Sequence, residues 1–166
     1  MQVCFIGHRK IEKTGELIST LKLAVLALIN KGATTFYFGS KSEFDSLSWE
    51  IVTELKKIYP SIKRVYVRSS YQFIDKSYEK HLLKMYEETY FPPKVEKAGK
   101  YSYVERNYVM IDNLTYCVFY YNEKYNLSIN GQSKHNTRLS TKRKSGTRIA
   151  YKYAEKKKKE IINLYK

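Results

Sequence analysis

The stretch "VCFIGHRKIE", residues 3–12, is an apolar run that halts at Gly7 and passes into His8, Arg9 and Lys10. An apolar segment this short, rich in β-formers and closed by glycine, reads as a strand buried on both faces. A buried strand that ends in three basic side chains carries them to one edge of a sheet. Working outward, Thr14 is placed to cap a helix whose apolar positions Leu17, Leu21, Val25 and Leu28 recur at helical spacing, with Gly32 as its stop. Residues 34–38, "TTFYF", are β-branched and aromatic, a second buried strand that also stops at a glycine, Gly39. Ser42 then opens a helix with Phe44, Leu47, Ile51, Leu55 and Ile58 on one side, closed by Pro60, and residues 62–67 make a third strand. Strand, helix, strand, helix, strand in this order implies a parallel sheet with right-handed crossovers.

The rest of the chain extends the pattern less evenly. A short helix is expected around residues 78–87, followed by an irregular piece at Pro92 and Pro93. In "SYVERNYVMIDN", residues 102–113, Ser102 and Glu105 have the spacing of a capping box, and Val104, Tyr108 and Ile111 form an apolar stripe. Arg106 and Asn107 of that helix read by default as a solvated pair. Residues 115–121, "TYCVFYY", are another buried strand. Residues 122–144 are polar, basic and aperiodic, and read as a long mobile loop. Ser145, Gly146 and Thr147 start a helix running through Lys157, and residues 160–165 form a last strand. The expected fold is a single α/β domain over residues 1–166, a Rossmann-like three-layer sandwich with a mostly parallel central sheet.

Composition sets bounds on function. A chain of 166 residues can bury a core without staples. No stretch has the apolar length of a membrane span, and no signal-peptide pattern precedes the first strand, so a cytoplasmic protein without a membrane partner is expected. Cys4 and Cys117 both fall in buried strands and read as small core residues, not as a disulfide or a metal pair. No metal or other cofactor is expected. The net charge of +15 invites a nucleic-acid reading, yet Lys outnumbers Arg 24 to 7 amid abundant Tyr, Asn and Ile, the pattern that AT-rich codons favour. Residues 1–121 carry 18 basic and 13 acidic side chains, whereas residues 122–166 carry 13 and 3, so the excess is concentrated late.

In an open parallel sheet, ligands bind beyond the carboxyl ends of the strands. Three segments fall at that edge: 7–10, 39–45 and 145–147. Glycine lets the backbone approach a ligand closely. A helix N-terminus offers unpaired N–H groups and a positive dipole end, and Arg9 adds a fork of donors. Neither G-x-G-x-x-G nor G-x-x-x-x-G-K-[ST] is present. His8 alone reads as a loop residue, Gly39 with Ser42 as a turn and cap, and 145–147 as a helix start. Their convergence on one edge makes them an anion-binding rim.

Four stretches in order, "FIGHRK" (5–10), "FGSKSEFDSLSWE" (38–50), "YVERNYVMID" (103–112) and "SGTRIAYKYAEKK" (145–157), resemble the SLOG superfamily, which unites LOG-like, DprA-like and YpsA-like proteins. The chain is most similar to the small YpsA-like branch. The resemblance implies a Rossmann-like sheet whose loops hold a nucleotide or nucleotide-derived ligand. Of the family's second-loop pattern GG-x-x-G-F-D-x-x-A-x-E, Gly39, Phe44, Asp45 and Glu50 match, while Ser40 and Glu43 replace glycines. Gly146 and Thr147 match its G-T pair. Where the phosphoribohydrolase branch carries a catalytic glutamate, this chain has Ala150, which argues against that type of hydrolysis.

The first expectation is therefore binding or sensing of a nucleotide-like small molecule by Gly7, His8, Arg9, Gly39, Ser40, Asp45, Arg106, Asn107, Ser145, Gly146 and Thr147. In it Ser40 and Thr147 give hydroxyls to phosphate, Arg9 neutralises it, and Asp45 or Asn107 holds ribose or base. A nucleotide N-glycosidase is the alternative, with Asp45 and Glu50 as the candidate carboxylates. A second alternative is DprA-like binding of single-stranded nucleic acid through residues 124–144, with Lys134, Arg138, Lys142, Arg143 and Lys144 on phosphates and Tyr121 and Tyr125 stacking. Exposed tyrosines among the 17 would suit a homo-oligomer face.

Overall fold

The computed structural model describes residues 1–39, 41–125 and 145–166. The first half follows the sequence pattern closely. Strand β1 covers Gln2–Gly7, and helix α1, Gly15–Asn30, begins where Thr14 Oγ1 accepts the Leu17 N–H at 3.1 Å. Its buried positions are Leu17, Leu21, Val25 and Leu28. Gly32, at φ +93°, makes the left-handed turn out of the helix. Strand β2, Thr35–Phe38, leads to α2, Glu43–Lys56, where Ser42 Oγ accepts the Asp45 N–H at 3.1 Å. The helix ends before Ile58, which is exposed and not part of the buried stripe expected for it. Strand β3 is Lys63–Val67.

Helix α3, Lys76–Met85, is capped by Asp75 and followed by a three-residue strand, β4, Glu88–Tyr90, that the sequence pattern does not announce. A bidentate ion pair secures that edge: Arg64 Nη2 lies 2.7 Å from Glu87 Oε1 and Nε donates to Oε2 at 3.2 Å, while the Arg64 main-chain N–H donates to the same Oε2 at 2.6 Å. Helix α4, Pro93–Glu96, and a single 3-10 turn at Gly99–Tyr101 lead into α5, Ser102–Asn113. Ser102 is the first residue of α5 and Tyr101 stands at its cap without a side-chain bond, so the expected capping box with Glu105 does not form. Strand β5 is Tyr116–Tyr120, helix α6 is Gly146–Lys156 with Ser145 Oγ accepting the Arg148 N–H, and β6 is Glu160–Asn163. Residues 123–124 form a turn; the rest of the expected loop, 126–144, lies outside the described residues.

The six strands form one all-parallel sheet in the order β4-β3-β2-β1-β5-β6. Alternation along β1 divides the core into two layers. Val3 and Phe5 face α1 and α2 among Leu21, Val25, Phe44 and Ile51, while Cys4 and Ile6 face α5 and α6 among Met110, Ile111, Ala150 and Ala154. Cys4 and Cys117 pair in register across β1 and β5, both buried and both free thiols. This is the α/β Rossmann-like sandwich expected from the sequence. The chain runs outward from β1 to β4 and then crosses back to β5, so the switch point lies between β1 and β5. Among the described residues no helix is long and apolar enough to cross a membrane.

Candidate functional site

A cleft of about 1040 Å³ opens along the carboxyl edge of the sheet at that switch point. The turn after β1 supplies Gly7, His8 and Arg9 to its wall, the end of β2 supplies Gly39, α5 supplies Arg106 and Asn107, and the start of α6 supplies Ser145, Gly146 and Thr147. The sheet thus brings together nine of the eleven candidate binding residues. Ser40 lies outside the described residues. Asp45 is buried behind Gly39, its Oδ1 accepting the Gly39 N–H at 3.5 Å, and does not line the cleft. Glu50 is exposed on α2, also outside it.

The three basic residues at the tip of β1 have three different fates. Lys10 turns to Glu43, 2.6 Å from its carboxylate, and the Ile11 N–H donates to the same group. That pairing holds the Glu43 carboxyl below its ordinary range. His8 is only 1% exposed. Its ring stacks on Tyr125 at 3.8 Å, nearly parallel at 7°, and Nε2 accepts the Asn122 N–H at 2.9 Å. Burial pushes its pKa down to about 4, so the ring is neutral near pH 7. Arg9 alone stays exposed at the cleft wall.

The glycines serve packing as much as ligand approach. A Cβ on Gly7 would stand 2.5 Å from Phe44 Cβ, so β1 and α2 meet closely there. A Cβ on Gly39 would stand 2.6 Å from an Arg106 guanidinium nitrogen and 2.8 Å from its Cδ. Arg106 therefore lies against the bare backbone of Gly39. Its Nε donates to Asn107 Oδ1 at 3.0 Å, and one Nη reaches the Val67 carbonyl at 3.4 Å. With only 3% exposure, Arg106 is drawn below the usual guanidinium range by desolvation, a shift that the nearby Asp45 carboxylate opposes. Arg106 and Asn107, a solvated pair by default but also members of the expected binding set, are buried in the wall of the cleft.

Sequence reasoning missed the far end of the site. Tyr66 and Arg68 at the end of β3, the following Ser69, Ser70 and Tyr71, and Tyr78 of α3 also line the cleft. Arg68 Nη1 donates to the Tyr71 carbonyl at 2.7 Å, and Tyr71 takes a left-handed φ of +59°. Arg68 Nε is buried with no partner among the described residues. The signal was available. The rule that selects residues after β1 and β2 applies equally to those after β3, although no glycine marks them.

Chemically, the wall is one-sided. Arg9, Lys41, Arg68 and Arg106 line it, with five tyrosines and the N-terminus of α6, while no described Asp or Glu does. Ser40 and residues 126–144 include no Asp or Glu either. Such a surface favours anions with flat, stackable parts. Among the described residues no group of His, Cys, Asp and Glu could hold a metal ion.

No family model and no curated protein matches this chain. A solved structure of DNA processing protein A from Helicobacter pylori, described for its single-stranded DNA binding mode, is similar with a TM-score of 0.54 and 17% identity. The two share a fold. The match covers 97% of this chain and 63% of that one, so the chain spans less than two thirds of that solved protein's length.

Proposed function

We propose that the cleft binds a nucleotide or nucleotide-derived ligand, its phosphate toward Arg9 and the α6 N-terminus and its base toward the tyrosines. One observation carries the reading: the wall joins four Arg or Lys side chains and five tyrosines with no carboxylate. Anionic phosphate and an aromatic base are the two chemistries such a wall accommodates together. The order of the four sequence motifs supports a place in the YpsA-like branch. Binding is favoured over N-glycoside cleavage, because an oxocarbenium-like transition state needs a carboxylate beside the ribose. Asp45 is turned to Gly39 and Arg106, Glu50 lies outside the cleft, and Ala150 is buried in the core.

Single-stranded nucleic acid is the second reading, favoured by the exposed Tyr71 and Phe73 just past β3 and by the single-stranded DNA binding of the solved neighbour. Calorimetric titration with AMP, ADP-ribose, adenosine and a short oligothymidylate separates the two. AMP or ADP-ribose should bind at least about 10-fold more tightly than adenosine, with no free base released on chromatography. Binding of the oligothymidylate alone, with a steep salt dependence, would overturn the small-ligand reading in favour of the second. Binding by none of the four would overturn both.

A further inference from the structure

His8 is built into the cleft more firmly than a turn residue needs to be. It lines the wall, is 1% exposed, and is fixed on one ring face by Tyr125 and flanked by Tyr121. Its two nitrogens are unequal. The Asn122 N–H donates to Nε2 at 2.9 Å, closer than the Asn122 carbonyl at 3.2 Å, so the Nε2 lone pair is engaged. A neutral imidazole whose Nε2 accepts carries its proton on Nδ1. That Nδ1 is buried with no hydrogen-bond partner among the described residues. A buried N–H without an acceptor is rare in native structures and calls for a reason. The neighbours supply one, because Arg9 and the α6 N-terminal residues 145–147 line the same cleft and favour an anion there.

We infer that His8 is a specificity-determining donor of the cleft: its Nδ1–H, held in that tautomer by the Asn122 main chain, meets a phosphate oxygen of the ligand. The inference rests on the reading of the cleft as a nucleotide site. It assigns to His8 a neutral, directional hydrogen bond, unlike the charge that Arg9 brings. A neutral donor selects a phosphate oxygen at one position and is little affected by added salt, whereas an exposed cation acts at longer range and is screened.

The tautomer and the contact are both observable. Long-range proton–nitrogen NMR of the labelled protein reports the three histidines, with His8 assigned through His8→Gln. In the free protein His8 should show the neutral Nδ1–H pattern near pH 7, and saturating AMP or inorganic phosphate should move its Nδ1 resonance while adenosine leaves it in place. Asn places its amide nitrogen near the His Nδ1 position, and Gln places its own near Nε2. By calorimetry His8→Gln should weaken AMP about 10-fold or more, by a similar factor at low and high salt, and His8→Asn should recover part of the loss. An Nε2–H pattern, or an Nδ1 signal unmoved by AMP that binds, would overturn the inference while leaving the nucleotide reading intact. So would wild-type AMP affinity in a folded His8→Gln. Failure of wild-type protein to bind AMP, ADP-ribose or phosphate would remove both.

Discussion

The tip of β1 and the second turn of α5 exchange the roles their sequences advertise. At the tip, Gly7, His8, Arg9 and Lys10 look like a cluster of positive charge, yet Lys10 is committed to Glu43 and His8 is buried and neutral, leaving Arg9 as the one exposed cation of the three on the cleft wall. On α5, Arg106 and Asn107 look like a solvated pair, yet both are buried in the cleft wall, with Arg106 pressed against Gly39. Charge written in a sequence does not say where charge is delivered. A glycine in one element and an arginine in another, 67 positions on, together place a guanidinium where neither segment alone would foretell it.

The hardest blow to this contrast would come from removing the buried partner. Arg106→Ala should destabilise the fold by about 3 kcal/mol, because it withdraws the cation facing the buried Asp45 carboxylate. AMP affinity should fall with it. Gly39→Ala should cost about 2 kcal/mol through overpacking against the guanidinium. In the double variant that second cost should shrink to about 0.5 kcal/mol or less, since the clash is gone. Chemical denaturation of the four proteins in the cycle measures the coupling. Strictly additive costs would mean that Gly39 serves the backbone and not Arg106, and the α5 side of the comparison would fall.

Where the sequence was legible, one physical signal dominated each element. Apolar runs stopped by Gly7 and Gly39 gave β1 and β2, and hydroxyl caps at Thr14, Ser42 and Ser145 marked three helix starts that the structure closes with side-chain bonds. Strand β4 was illegible because three residues at a sheet edge carry no period, and its place depends on Arg64 meeting Glu87 across 23 positions. Ser102 misled because a capping box is a pattern of residue types, while the chain enters α5 through a 3-10 turn that already places Ser102 inside the helix. The β1, β2 and α6 rims of the cleft were legible from topology. The β3 end follows from the same rule but was passed over, since Tyr66, Arg68 and Tyr78 belong to no motif and no glycine marks them.

A milder test concerns His8. Its folded pKa of about 4 lies below the ordinary histidine value near 6.5, so the unfolded chain takes up the proton first. The stability linked to this ring is complete above about pH 6.5 and is lost as pH falls toward about 4, on the order of 3 kcal/mol over that window. Carboxylates held low in the fold, such as Glu87 and Asp112, add losses of the same sign at the acid end. The informative quantity is therefore the difference between wild type and His8→Gln, each unfolded by denaturant across the range. Wild-type stability should fall more steeply between about pH 6.5 and about 4.5. Parallel curves would mean that the folded ring titrates as it does in the unfolded chain, and the tip of β1 would gain a second charge only below about pH 6.5.

The smallest effect is the most discriminating within the tip itself. Arg9 and Lys10 are adjacent, both exposed and both cationic, so a diffuse positive field would use them equally. The geometry separates them: Arg9 lines the cleft, whereas Lys10 does not and its ammonium is 2.6 Å from Glu43. Arg9→Ala should weaken AMP about 3- to 5-fold near 0.05 M salt, and less near 0.3 M, because an exposed charge is screened over about a Debye length. Lys10→Ala should leave AMP affinity unchanged at either salt and stability nearly so, as exposed ion pairs contribute little. Equal losses from the two substitutions would show that the tip acts through net charge alone. In that case the position of Arg9 in the wall would explain nothing about binding, and the contrast with the precisely seated Arg106 would be one of burial without a difference in role.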